Sequence, residues 1–156
     1  MTRKIILDTD PGVDDVVAMA LAFMTPPNDS EIALITPVFG NTSLFHTVRN
    51  TVTILNIIDQ EREWRKKNGY RQPRSDTPLV AMGAEGPIDG SKIIDARFFH
   101  GKDGIAEVHS SVTPMIRAAI DNSTLTLHQR IMRGVRSCKI RHDISSHLRI
   151  LHTSKY

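Results

Sequence analysis

Four carboxylates fall within eight residues, Asp8-Thr9-Asp10-Pro11-Gly12-Val13-Asp14-Asp15, directly behind a short apolar run, Lys4–Leu7. A short β-branched and apolar run that ends abruptly in acids reads as a buried strand. Pro11 and Gly12 are turn formers, so Asp8 to Gly12 reads as a loop. Val13 to Met24 then reads as a helix, with Val16, Val17, Met19, Ala20, Leu21 and Phe23 giving the broad apolar surface of a helix that lies on a sheet. Asp14 and Asp15 open that helix, where the macrodipole favours negative charge. The carboxyl edge of a parallel strand is where open α/β sheets place their ligands. Four acids crowded there repel one another and need a cation or partial protonation.

The same grammar continues downstream. Pro26-Pro27-Asn28-Asp29-Ser30 stops the helix. Glu31–Val38 is a second strand with Ile32, Leu34, Ile35 and Val38 as apolar positions, and Gly40 and Asn41 form its exit loop. From about Leu44 to Trp64, Val48, Val52, Leu55 and Ile58 make one helical stripe. Arg65-Lys66-Lys67-Asn68-Gly69 then supplies cations and a glycine suited to a helix end. Thr77–Met82 reads as a third strand and Gly83 to Pro87 as a loop. The order strand–helix–strand–helix–strand predicts an α/β fold with a parallel open sheet and right-handed crossovers. After about Pro114 the pattern weakens. Met115–Asp121 reads as one or two helical turns, and no periodicity follows Asn122. The expected division is therefore a folded body, residues 1–114, and an irregular basic tail, residues 115–156.

Charge sharpens that division. Positions 1–115 hold 12 basic and 15 acidic residues, whereas Ile116 to Tyr156 hold eight basic and two acidic ones. No nucleic-acid-binding motif accompanies the basic tail, so no specific nucleic-acid partner is expected. No apolar run approaches the roughly 18–20 residues of a membrane span, and no secretory signal is evident at the N-terminus. The single cysteine, Cys138, excludes an intrachain disulfide and a cysteine zinc cluster. A cytoplasmic location without a membrane partner is the expectation.

Hard oxygen ligands favour calcium or magnesium over softer metals. An EF-hand beginning at Asp8 would need glycine at its sixth position and glutamate at its twelfth, which here are Val13 and Met19. The phosphatases of the haloacid dehalogenase type place Thr or Val where Gly12 stands. Instead, Ile6-Leu7-Asp8-Thr9-Asp10-Pro11-Gly12-Val13-Asp14-Asp15 resembles the N-terminal signature of the inosine–uridine-preferring nucleoside hydrolases. Thr36-Pro37-Val38-Phe39-Gly40-Asn41-Thr42 resembles the family's second-strand exit. Pro78-Leu79-Val80-Ala81-Met82-Gly83-Ala84 resembles its third strand, and Phe99-His100-Gly101-Lys102-Asp103-Gly104-Ile105 its His-Gly-x-x-Gly segment. The likeness runs from about Lys4 to Pro114.

The resemblance implies calcium held by Asp10 and Asp15, with Asp10 also taking the proton of the attacking water. It implies that Asp14 and Asn41 bind ribose hydroxyls, that His100 lies near the nucleobase, and that Asp8 supports the site. The reaction implied is hydrolysis of the N-glycosidic bond of a ribonucleoside to base and ribose, possible also in a homo-oligomer. Family members are about twice this length, and the second half of their site finds no counterpart here. His142-Asp143 stands in no matching context. A truncated chain is therefore expected, and a non-catalytic fragment of the same family is the alternative function.

Overall fold

The computed structural model describes residues 3–24, 30–71, 78–108 and 149–152. The elements are β1 (Arg3–Thr9), α1 (Val13–Met24), β2 (Ser30–Pro37), α2 (Leu44–Lys67), β3 (Leu79–Val80), α3 (Arg97–His100) and β4 (Arg149–His152). The sheet has four strands in the order β3-β2-β1-β4, and each neighbouring pair is parallel. The α/β class and the parallel open sheet agree with the sequence expectation.

Several details differ from it, among them β3, which at Leu79–Val80 is shorter than the expected Thr77–Met82. β1 continues through Asp8 and Thr9, which had read as loop. The strand is longer because Asp8 pairs with Thr36 and Thr9 with Pro37 on β2. α2 runs one turn further than expected, to Lys67. There Gly69 takes the left-handed conformation, with φ of 72°, and the Tyr70 amide donates to the Arg65 carbonyl, closing the end. Finally, the tail is not wholly irregular, since Arg149–His152 forms β4 beside β1. Its four residues are too few to announce a strand by periodicity, and pairing with the open edge of β1 supplies what local pattern lacks. The expected turns at Met115–Asp121 lie outside the described residues, as do His109, His128, His142 and His147.

The core forms where both long helices meet one face of the sheet. Leu7 of β1, Ile32 and Ile35 of β2 and Val80 of β3 cluster with Met19 and Phe23 of α1 and with Ile54, Leu55 and Ile58 of α2. Ile32 and Ile35 are three apart, so a regular strand would turn them to opposite faces. The register slips between Ile5 and Ile6, whose partners are Ile32 and Leu34, leaving Ala33 as an extra residue. That bulge returns Ile35 to the core side. The stripe Val48, Val52, Leu55 and Ile58 is buried throughout. α1 buries less than its composition suggests: Met19 and Phe23 are enclosed, while Val17 and Leu21 are exposed. No helix among the described residues is long and apolar enough to cross a membrane.

Phe23 is fully enclosed. Phe23→Ala is expected to cost about 3–5 kcal/mol, because the cavity adds to the lost transfer energy. Leu21→Ala, on the exposed side of the same helix, should stay within about 0.5 kcal/mol. Denaturant midpoints of the two variants check the difference.

Candidate active site

Strand alternation sorts the acids of the signature before any ligand is considered. Leu7 and Thr9 are buried on the same side of β1, and Asp8 points to the other. Asp8 accepts a hydrogen bond from Thr36 Oγ1 of β2 at 2.9 Å. Asp10 follows directly on the end of β1 and is buried at 5% exposure.

The N-terminus of α1 fixes the next carboxylate. A helix start leaves backbone N–H groups without partners. Asp15 reaches back so that its Oδ2 accepts the Gly12 N–H at 3.1 Å, the acid's half of a capping box. Its Oδ1 accepts from the buried Thr9 hydroxyl at 2.7 Å. The Val13 N–H donates to His100 Nδ1 at 3.2 Å, so a histidine 87 positions away satisfies another donor of the same helix start. An accepting Nδ1 carries a lone pair, which leaves Nε2 as the protonated nitrogen of the neutral ring.

Asn41 joins the acids to one another. Its backbone N–H donates to Asp10 Oδ2 at 2.8 Å. Its side-chain amide donates to the Asp10 carbonyl at 2.9 Å and to Asp15 Oδ2 at 3.1 Å. Two glycines permit this closeness. A Cβ on Gly12 would stand 2.8 Å from His100 Nδ1, and one on Gly40 would lie 2.9 Å from Asp10 Cγ, both closer than real Cβ atoms approach.

The result is a cleft of about 260 Å³ lined by Asp10, Asp14, Asp15, Asn41, Ala96, Phe98, Phe99 and His100. Five of the six residues expected from sequence therefore line one cavity, and Asp8 is not among the lining residues. Sequence reading overlooked Thr9, whose single signal was its place between two acids. It also left Phe98 and Phe99 as neighbours of a histidine, although both rings border the cleft. The Phe99 ring stands edge-on to the His100 ring at 4.9 Å between centroids.

Electrostatics distinguish Asp10. Burial pushes its carboxyl above the usual range, the Asn41 N–H opposes that shift, and the charges of Asp15 and Asp14 add to the rise. The acids beside Asp10 thus add to burial in opposing its ionisation. Oxygen donors under such repulsion suit a hard divalent cation. Among the described residues no group of three or more His, Cys, Asp or Glu side chains converges as a metal site. The donor set on hand is the Asp10 and Asp15 pair, with room in the cleft for water and substrate oxygens.

Residues 5–143 match the inosine-uridine preferring nucleoside hydrolase family, a stretch that continues beyond Pro114. This chain belongs to that family. It is 37% identical over 121 residues to uridine nucleosidase 1 of Arabidopsis thaliana, covering 78% of this chain and 30% of that protein. It is 39% identical over 101 residues to the non-specific ribonucleoside hydrolase RihC of Salmonella agona, covering 65% of this chain and 27% of the relative. The chain thus spans less than a third of the length of either relative. Its fold is similar to that of an inosine-guanosine nucleoside hydrolase, with a TM-score of 0.54 and 22% identity over 96% of this chain and 38% of the other. A plant nucleoside hydrolase, PpNRh1, gives a TM-score of 0.53 and 24% identity over 72% and 30%.

The raised Asp10 makes a prediction for stability in calcium-free buffer. Its carboxyl holds a proton more tightly in the folded state than the ordinary value of 3.8 allows in the unfolded chain. Between those two midpoints the folded state binds more protons, so stability falls as pH rises through that window. Asp10→Asn removes the titration. Its melting temperature should exceed that of the parent at neutral pH, and the two should converge below pH 3.8. Thermal unfolding followed across pH reads the effect.

Proposed function

We propose that this chain carries the carboxylate-bearing part of a nucleoside N-ribohydrolase site, which splits the N-glycosidic bond of purine or pyrimidine ribonucleosides into base and ribose with the assistance of calcium. The observation that carries this reading is the convergence of Asp10, Asp14, Asp15, Asn41 and His100 on one cleft at the carboxyl end of β1. The relatives in Arabidopsis and Salmonella are a uridine nucleosidase and a non-specific ribonucleoside hydrolase, which supports a ribonucleoside as the substrate class.

Each residue has a role that its surroundings suit. Glycosidic cleavage passes through an oxocarbenium-like state, whose positive charge neighbouring carboxylates stabilise. Asp10 takes the proton from the attacking water. Its position in the cleft gives it access to that water. Asp14 is exposed at the cleft, where its oxygens can accept hydrogen bonds from ribose hydroxyls. Asn41 offers the ribose its side-chain carbonyl oxygen, because its amide nitrogen is committed to Asp10 and Asp15. His100, with Nδ1 occupied by the Val13 N–H, presents Nε2 as a donor on the nucleobase side. Asp8 supports the strand end through Thr36. Asp10 and Asp15 would hold the calcium ion, which when bound supplies a more acidic water and a grip on adjacent ribose hydroxyls.

A second reading is favoured by the small donor set. With two carboxylates as the protein's share of a cation site, the chain would bind calcium or ribose weakly and without turnover, since calcium takes about 6–8 oxygen ligands.

Incubation of the purified chain with inosine or uridine and calcium separates the two. Release of free ribose that falls by about 10²-fold or more in Asp10→Asn is expected for a general base. Absence of ribose at high protein concentration, with millimolar calcium still binding in calorimetry, would establish the second reading instead.

A further inference from the structure

A buried asparagine in the middle of α2 joins the two loops that build the cleft. Asn50 is fully enclosed. Its side-chain nitrogen has two hydrogens, and each finds a main-chain carbonyl. One goes to Pro11 in the carboxylate loop at 3.0 Å, and the other to Asp103 in the histidine loop at 2.7 Å. These carbonyls lie 39 and 53 residues away in the chain. Asparagine is a middling helix former, so its place in a helix interior asks for a reason beyond propensity.

The histidine loop is built to receive that bond. Asp103 Oδ1 accepts the Ile105 N–H at 3.0 Å and the Glu107 N–H at 2.7 Å. The Ala106 N–H donates back to the His100 carbonyl at 2.7 Å, and Thr42 Oγ1 donates to the Lys102 carbonyl at 2.9 Å. Ala106 and Glu107 both sit at positive φ, 57° and 58°, which L-residues keep only when their surroundings impose it. Gly104, at φ 86°, lets this loop press against the asparagine: a Cβ there would meet Asn50 Nδ2 at 3.1 Å, Pro11 O at 3.3 Å and Thr42 Cγ2 at 2.8 Å.

We infer that Asn50 is a positioning residue for the nucleoside hydrolase reaction: its amide clamps the carboxylate loop at Pro11 to the histidine loop at Asp103, and so sets where His100 stands relative to Asp10 and Asp15. The inference deepens the proposed function and rests on it. The side chain touches neither substrate nor cation. It acts through two carbonyls, one directly following Asp10 in the chain and one three residues past His100. No other side-chain type of this size offers two hydrogens from one neutral nitrogen. Aspartate has the same shape and donates neither.

The test compares Asn50→Asp with Thr51→Ala in the full chain. Thr51 is equally enclosed on the same helix, but its hydroxyl donates within the helix to the Thr47 carbonyl at 2.8 Å. Two readouts are taken: ribose release from inosine, resolved into kcat and KM, and the backbone amide resonances and hydrogen exchange of Val13, Ile105 and Glu107. In Asn50→Asp, exchange at those amides should quicken by at least about tenfold and kcat fall by a similar factor at temperatures where the variant is folded. Thr51→Ala should lower the melting temperature while leaving both readouts within about twofold of the parent. Gly104→Ala, which strains the same contact from the loop side, should move the same amides even if Asn50→Asp does not fold. Unchanged amides in the clamp variants, or equal changes in Thr51→Ala, overturn the inference. A parent chain that releases no ribose counts against the proposed function alone, because the amide readout still decides whether the clamp exists.

Discussion

Asp15 accepts hydrogen bonds from the Thr9 hydroxyl, the Gly12 N–H and the Asn41 amide, and the cleft is organised around that carboxylate. The donors come from the end of β1, the turn behind it and the exit of β2. A charge buried at this depth is tolerated because donors surround it. The same bonds complete the start of α1, so building the helix and building the site are one event. Remove the helix start and the acid has no fixed place. Remove the acid and the Gly12 N–H is orphaned.

Two neighbouring acids thereby acquire different characters. Asp15 is tied down by side-chain and backbone donors, whereas burial and the charges beside it push Asp10 toward holding a proton. The two carboxylates are thus held differently: three donors fix Asp15, and the Asn41 N–H meets Asp10. Asn41 mediates the division, since its backbone serves Asp10 while its side chain serves the Asp10 carbonyl and Asp15.

Much of this was legible from residue order. The stripe of α2 and the abrupt end of the first apolar run gave the parallel architecture, and α1 begins and ends where its pattern does, at Val13 and Met24. The clustering of acids after β1 pointed to the edge of the sheet where the cleft lies. What remained hidden depended on distant contacts. The continuation of β1 through Asp8 is set by its partner strand, because an aspartate disfavours strands when taken alone. β4 exists through pairing with an edge 144 residues earlier in the chain, and four residues hold too little periodicity to forecast it. The exposure of Val17 and Leu21 was likewise unreadable, since composition counts apolar residues and not the number of neighbours available to cover them. Asn50 was invisible for the opposite reason: a polar residue off the apolar stripe of a helix looks like surface until its acceptors, from two separate loops, are seen beside it.

The position of β1 in the sheet has its own consequence. It has a parallel neighbour on each side, β2 and β4, yet the helix that leaves it can return to only one of them. At such a strand the connections part company, and a crevice opens above it whatever side chains are present. The hollow is thus a product of connectivity, and the acids only furnish it. Loop residues around that opening could drift widely and alter its outline, while the strands that create it stay as they are.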